Sequence, residues 1–264
     1  MEKTNLINFN NIHQTARVHP GAKLGQNIIV GQYSVIGEQV EIGDNCEVGP
    51  HVALDGRTTV GRGNRFFKGS SIGSKAENLQ YESEKGVLVI GDNNIFRENV
   101  VICCGTGPDG TGIGNSNLLI ANSYIGPDCR LGNQTIINYC TTLTEHVVVE
   151  DRAIVSPLSE VYPYVKIGEL AMIGAASKIV GNVPPFMLVD GNPALPAGMN
   201  VVGLRRHGVD SRSREVLKKA YRILYRSNLT IAEALGRIEQ ELQGSKEVER
   251  LISFLHSIPD GVLQ

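Results

Sequence analysis

Along most of this chain an aliphatic or aromatic residue recurs at every sixth position. From Ile12 the series runs Val18, Leu24, Val30, Ile36, Ile42, Val48, Leu54, Val60, Phe66 and Ile72, then resumes at Ile90, Phe96 and Ile102. After a break it continues without a miss from Ile113 to Ile179. The next residue is often glycine (Gly25, Gly31, Gly126, Gly132), and the fifth residue of each hexad is usually small or β-branched. A period of six matches neither the 3.6 of a helix nor the alternation of an isolated strand. It fits a solenoid of short strands and tight bends, three strands to a coil, with each aliphatic residue stacked inside on the residue 18 positions away. Glycine after it suits a bend that needs positive φ or a close backbone approach. A β-sandwich would not keep a fixed step between turns. The expected fold is mainly β, a parallel β-helix built of hexapeptide repeats.

Two segments interrupt the count. Between Ser74 and Gly86 the hexad is lost, yet Ile72 and Ile90 are 18 apart, which predicts one coil's length looped out in register. Between Cys103 and Gly112 the glycine-rich CCGTGPDGTG costs the register, Ile102 to Ile113 being 11. That segment has no Lys-Ser/Thr ending and opens no helix, so it is no phosphate loop. Insertions in repeat scaffolds gather on one face, often the binding face, so both loops are candidate site elements.

The hexads end at Val183-Pro184-Pro185, and the irregular DGNPALPAGMNVVGLRRHG follows. Beyond it the period turns helical. Val216, Leu217, Ala220, Tyr221 and Leu224 share one face of a first helix, and Thr230 with Glu233 forms a capping box for a second. Ser245 caps a third that carries Val248, Leu251, Ile252 and Leu255. The expected division is a β-helix over 1–195, with external loops near 74–86 and 103–112, and a helical domain over 196–264.

The chain of 264 residues carries a net charge of −2 and no apolar run long enough to span a bilayer. Its first residues, MEKTNLINFN, lack the apolar core of a secretory signal. Five cysteines without metal-type pairing argue for a reducing compartment, and together these features predict a cytoplasmic protein without membrane insertion. Cys46 and Cys129 sit at fifth positions and are expected in the core; Cys103 and Cys104 are either packing residues or a reactive site. No two of the six histidines are spaced to share a metal between coils, so no metal or other cofactor is expected. Between Val201 and Arg226 eight basic residues stand against Asp210 and Glu215, a patch suited to an acidic partner or phosphates or simply to solvent. No aromatic platform or recognition motif accompanies it, which speaks against nucleic acid.

The hexapeptide prism, two loops, the D-G-N-P-A…N-x-x-G-L-x-R-x-G connection and the helical tail resemble the UDP-N-acetylglucosamine O-acyltransferase family over essentially the whole length. The resemblance implies a left-handed prism, a homotrimer with sites between subunits, an acyl-carrier-protein thioester as donor, a nucleotide sugar as acceptor, and a place in lipid A biosynthesis. It also implies a histidine general base, which takes the proton from the sugar hydroxyl, and a backbone amide one coil away for the oxyanion. At the matching stretch this chain has Tyr124-Ile125-Gly126-Pro127-Asp128-Cys129, so proline occupies the base position. The acceptor-contact stretch is Glu77-Asn78-Leu79-Gln80, the oxyanion position is Glu145, and a further contact stretch is Val161-Tyr162-Pro163-Tyr164.

By the same resemblance Asn78, Gln80, Tyr124, Tyr162, Asn200, Arg205, Arg206 and His207 take substrate-binding positions. Pro127, Glu145 and Pro163 fall 18 apart in one column, and Asp128, His146 and Tyr164 in the next. The resemblance makes Asp128 the residue that orients the base, and Glu145 or His146, one coil on, could take the proton that Pro127 cannot accept. These three are the catalytic candidates; otherwise His146 binds ligand or caps a bend and Glu145 is simply exposed. The alternative is a non-catalytic trimer that keeps the fold as a binding or scaffold protein.

Overall fold

The computed structural model describes residues 10–76, 86–242, 244–258 and 261–263. The hexads form a left-handed parallel β-helix. Strands of mostly two residues, such as Tyr124–Ile125, Arg130–Leu131 and Ile136–Ile137, fall in turn into three sheets along three faces of a prism. The first sheet starts at Asn11–Ile12, the second at Arg17–Val18 and the third at Lys23–Leu24. In uninterrupted coils pairing is in register at a step of 18, as in Ile125↔Leu143 and Leu131↔Val149. One aliphatic residue of each hexad points inward, so from Val30 to Ile179 the hexad residues are almost completely buried in one continuous core.

At most bends the left-handed φ does not fall on the glycine that follows the aliphatic residue, Gly73 after Ile72 being an exception. It falls two residues later, on residues such as Asn27, Asn45, Asp128, His146 and Tyr164. The glycine answers to the second requirement, close approach. A Cβ on Gly126 would sit 2.5 Å from the Thr144 carbonyl oxygen of the next coil. Corner side chains are therefore free to be polar or aromatic, at the cost of holding a left-handed backbone.

Both interruptions leave the prism at the same corner, between the second and third sheets. Val60 pairs with Ile90, a step of 30 where regular coils take 18, so twelve residues are inserted and not a whole coil. The count of 18 from Ile72 to Ile90 mimics a coil because the strand it spans, Val87–Ile90, follows Ser71–Ser74 directly. Ile90 pairs with Ile113 at a step of 23, which makes the second insertion five residues.

At the C-terminal end the first sheet closes with an antiparallel hairpin, Met187–Gly191 with Ala194–Met199, in the segment expected to be irregular. The hairpin crosses the 195/196 division expected from the sequence. Helix α1, Val201–Arg206, follows at once and is an element that the periodicity does not predict. Helices α2 (Ser211–Arg226), α3 (Ile231–Glu241) and α4 (Lys246–His256) pack around Leu204, Leu217, Ile238 and Leu251. The Thr230–Glu233 capping box is formed. Ser245 makes no cap to α4; its hydroxyl donates to the Glu247 carboxylate at 2.9 Å. Helix α4 is tied to the prism by Arg250, which reaches Glu150 at 3.0 Å and Glu169 at 3.4 Å. Among the described residues no helix is long and apolar enough to cross a membrane.

Candidate functional site

The corner between the second and third sheets brings together several of the candidate side chains. Its successive bends carry Glu38, Asp55, the insertion before Gly86, the Cys104–Gly110 loop, Asp128, His146 and Tyr164. The expected columns are formed: the His146 amide donates to the Pro127 carbonyl at 3.0 Å, and the Tyr164 amide to the Glu145 carbonyl at 3.2 Å.

Asp128 is the most heavily held group there. Its carboxylate accepts from the Thr106 amide at 3.0 and 3.1 Å, the Thr106 hydroxyl at 2.6 Å and the Gly107 amide at 3.3 Å. Its own amide donates to the Thr111 hydroxyl at 2.9 Å. The short loop therefore folds back onto the prism and grips one side chain, and the Arg130 guanidinium pins that loop by donating to the Asp109 carbonyl at 2.8 Å. Burial pushes the Asp128 carboxyl up, but the hydrogen bonds from Thr106 and Gly107 and the neighbouring His146 outweigh it, so the group sits below the usual carboxylate range.

His146 stands one coil further on. Its Nε2 is 3.8 Å from Asp128 Oδ2, ion-pair distance and not a hydrogen bond. The other face of the imidazole lies on the Tyr164 ring, centroids 4.7 Å apart and planes 7° from parallel. Nδ1 has no hydrogen bond among the described residues. The backbone N–H of Glu145 likewise has no acceptor among them. Together these groups offer a base backed by a carboxylate, and an outward amide beside it.

A cleft of about 520 Å³ opens along the same corner, lined by Glu38, Asp55, Arg57, Lys75, Gly105 and Thr106. Thr106 joins it to the Asp128 carboxylate. The sequence assigns no role to Thr106, Arg57 or Lys75, and places Tyr164 only within a contact stretch. The signal for Thr106 was present in the glycine-rich loop, but not the fact that the loop turns back onto Asp128.

The other expected positions are scattered. Asn78 and Gln80 lie outside the described residues. Tyr124 belongs to the second sheet beside the corner, with its hydroxyl 3.4 Å from Cys103 Sγ. Tyr162 lies beneath Lys178, whose Nζ is 4.8 Å from the ring centroid. Asn200 is buried and fully engaged: it accepts from the Gly203 amide to cap α1 and donates to the Leu170 carbonyl, both at 2.9 Å. It is a joint between the prism and the helices, not an open contact.

Arg205, Arg206 and His207 are exposed at the end of α1. Arg205 shares a second cavity, about 380 Å³, with Arg214 and Lys218. Among the described residues no hydrogen bond or ion pair links this basic group to the corner column. Cys103 and Cys104 are packing residues. Both are buried, and burial pushes the Cys104 thiol up and that of Cys129 up to about 12. Among the described residues no three His, Cys, Asp or Glu side chains are grouped to hold a metal ion.

Comparison with known proteins agrees at both ends of the chain. The bacterial transferase hexapeptide profile matches residues 21–56, and the profile for the second domain of UDP N-acetylglucosamine O-acyltransferase matches residues 182–262. An acyl-[acyl-carrier-protein]–UDP-N-acetylglucosamine O-acyltransferase of Gloeothece citriformis is 41% identical over 206 residues, 78% of this chain and 74% of the relative. One from Verminephrobacter eiseniae is 42% identical over 80% of this chain and 83% of its own. The crystal structure of a UDP-N-acetylglucosamine acyltransferase from Bacteroides fragilis superimposes with a TM-score of 0.93 at 32% identity, covering 96% of this chain and 100% of that one. Identity at this level over this share of the length settles the kinship: the chain belongs to the acyl-[acyl-carrier-protein]–UDP-N-acetylglucosamine O-acyltransferase family.

Proposed function

We propose that this protein is an active, divergent acyltransferase in which His146, backed by Asp128, replaces the base that Pro127 cannot be. The reaction moves an acyl group from an acyl-carrier-protein thioester to a hydroxyl of UDP-N-acetylglucosamine or a related nucleotide sugar, as the names of its relatives describe. The acceptor oxygen attacks the thioester carbonyl carbon while its proton passes to His146 Nδ1. The carbonyl oxygen takes the charge against the N–H at position 145, a backbone group that does not depend on the Glu145 side chain. The carbon–sulfur bond then breaks, and the proton returns to the carrier's sulfur.

The observation that carries this reading is the placement of Asp128 and His146 3.8 Å apart at the corner that carries both insertions. Such a pair tightens when substrate closes over it. Asp128, Glu145 and His146 thus form the catalytic group, with Glu145 acting through its backbone. Tyr124, Tyr162 and the stretch holding Asn78 and Gln80 border the acceptor. Arg205, Arg206 and His207 reach a neighbouring copy's corner in a cytoplasmic homotrimer serving lipid A biosynthesis. The basic surface of α1 and α2, Arg214 and Lys218 included, receives the acidic carrier protein.

The experiment is an acyl-transfer assay with acyl-carrier-protein thioester and UDP-N-acetylglucosamine, comparing the wild type, His146→Ala and Pro127→His. The expected result is transfer by the wild type and a loss of roughly 10²–10⁴-fold in His146→Ala, the range for a general base. One observation favours a second reading, a binding protein that has shed its chemistry: Pro127 itself. Transfer by Pro127→His alone would establish that reading in place of the first.

A further inference from the structure

We infer that Tyr164 is a positioning residue for the His146 imidazole, a role that rests on His146 being the base. An imidazole on an exposed bend has two free side-chain torsions, and a base must hold its nitrogen within hydrogen-bond reach of one particular proton. His146 is held from both sides. Asp128, one coil before, faces Nε2, and the Tyr164 ring, one coil after, lies parallel to the imidazole at 4.7 Å. That separation is the spacing of neighbouring strands in a sheet. His146 and Tyr164 both take the left-handed bend conformation, φ 57° and 63°, so the prism repeat itself sets one ring on the other.

A second pair shows which part of the arrangement is special. Tyr33 and His51 also stand 18 apart at left-handed bends, on the corner between the first and second sheets, with centroids 5.1 Å apart and planes at 26°. The position after His51 in that column is Gly69, and the one before Tyr33 is Thr15, so no carboxylate completes the stack. Aromatic stacking is thus something these corners do readily. Only at His146 is the free edge of the stacked imidazole also addressed by an acid.

Tyr164 is 71% exposed and has no hydrogen bond to its hydroxyl among the described residues, and the His146 stack is the ring contact it makes among them. The stack fixes the ring plane, Asp128 faces Nε2, and Nδ1 is left without a partner among the described residues. The ring of Tyr164, not its hydroxyl, does this work, and phenylalanine should replace it.

The test compares Tyr164→Ala, Tyr164→Phe and His146→Ala in steady-state transfer, with the His146 ring protons followed by NMR. A tyrosine stacked flat on an imidazole shields those protons, and Tyr33–His51 supplies an internal reference in the same spectra. Tyr164→Ala should lower kcat by about 3- to 10-fold, the range of one aromatic pair, and leave KM for both substrates within about twofold. It should also move the His146 resonances downfield while those of His51 stay. Tyr164→Phe should restore both kcat and shift. The inference is overturned by unchanged kcat in Tyr164→Ala, by a change in KM alone, or by a Phe variant as impaired as the Ala one. Full activity in His146→Ala would instead refute the base on which it rests, and the two failures are separately visible.

Discussion

Two corners of the same prism put the same backbone to opposite uses. The corner between the third and first sheets is a ladder. Asn64, Asn94, Asn117 and Thr135 stand inside it, all buried, each amide oxygen accepting from the next rung's backbone N–H at 2.7–2.9 Å. Their amide nitrogens donate to bend carbonyls, among them Gly114 from Asn94 and Gly132 from Asn117. Among the described residues none of the ladder's buried side-chain nitrogens or oxygens lacks a partner, and the corner runs past both insertions without a break. The corner between the second and third sheets has loops where the other has rungs. There His146 and Tyr164 reach solvent, and the short loop grips the Asp128 carboxylate from several directions. One corner holds coils together, and the other exposes groups that a regular repeat would hide.

The largest break in this comparison is Asn94→Leu. It keeps the branched shape but leaves the Asn117 amide and the Gly114 carbonyl without a partner in a buried place, and takes one of its two donors from the Asn64 amide oxygen. Unmade buried hydrogen bonds cost about 1–3 kcal/mol each, partly relieved by relaxation, so unfolding free energy should fall by about 3 kcal/mol in a denaturant titration. Transfer per folded molecule should not change. A loss under about 1 kcal/mol would mean that the coils are held by the apolar core alone.

How much of this was legible in the sequence differs between the corners. The aliphatic hexads are visible because side-chain size repeats, and the 18-residue step follows from three faces; that arithmetic placed Asp128, His146 and Tyr164 in one column. It could not show that the His146 and Tyr164 rings are parallel, nor that the five-residue insertion turns back onto Asp128. The ladder was hidden for another reason. Asn64, Asn94 and Asn117 take fifth positions, where small or β-branched residues are usual, and their spacings of 30 and 23 are stretched by the insertions on a different corner. The twelve-residue insertion was misjudged because Ile72 to Ile90 happens to equal a coil. Helix α1 has six residues in a glycine- and proline-rich stretch, too short for periodicity to register, and its cap, Asn200, has its second partner 30 residues earlier at Leu170.

Asp128→Asn tests the other corner at a smaller scale. The carboxylate accepts four hydrogen bonds from Thr106 and Gly107, and the amide would turn donors toward donors. At neutral pH the variant should lose about 2 kcal/mol, within the range for hydrogen bonds to a charged group. The sign with pH follows from the lowered pKa of the Asp128 carboxyl in the folded state. A carboxyl depressed on folding adds stability above its unfolded value, about 4, and loses that contribution as pH falls through its folded value. The gap between wild type and variant should therefore be full at pH 6–8 and close progressively below about pH 4. A gap that persists unchanged into acid would show that Asp128 acts through shape and not charge.

The smallest effect sharpens the comparison most, because it separates hydrogen-bond count from burial. Asn115 is an outer rung of the ladder corner. Its amide oxygen accepts from the Asp92 N–H at 2.7 Å, and its nitrogen donates to Asn133 at 2.9 Å, geometry as good as that of Asn94. Yet Asn115 is exposed where Asn94 is buried. If the bonds themselves hold the corner, Asn115→Ala and Asn94→Leu should cost comparable amounts. If the decisive term is the desolvation of unpaired groups, water repairs the outer rung, and Asn115→Ala should cost no more than about 0.5 kcal/mol. The second outcome is expected, measured in the same titration as Asn94→Leu. It would mean that the asparagines matter inside the prism because no water can replace them there, while the opposite corner can carry exposed, changeable groups because water can.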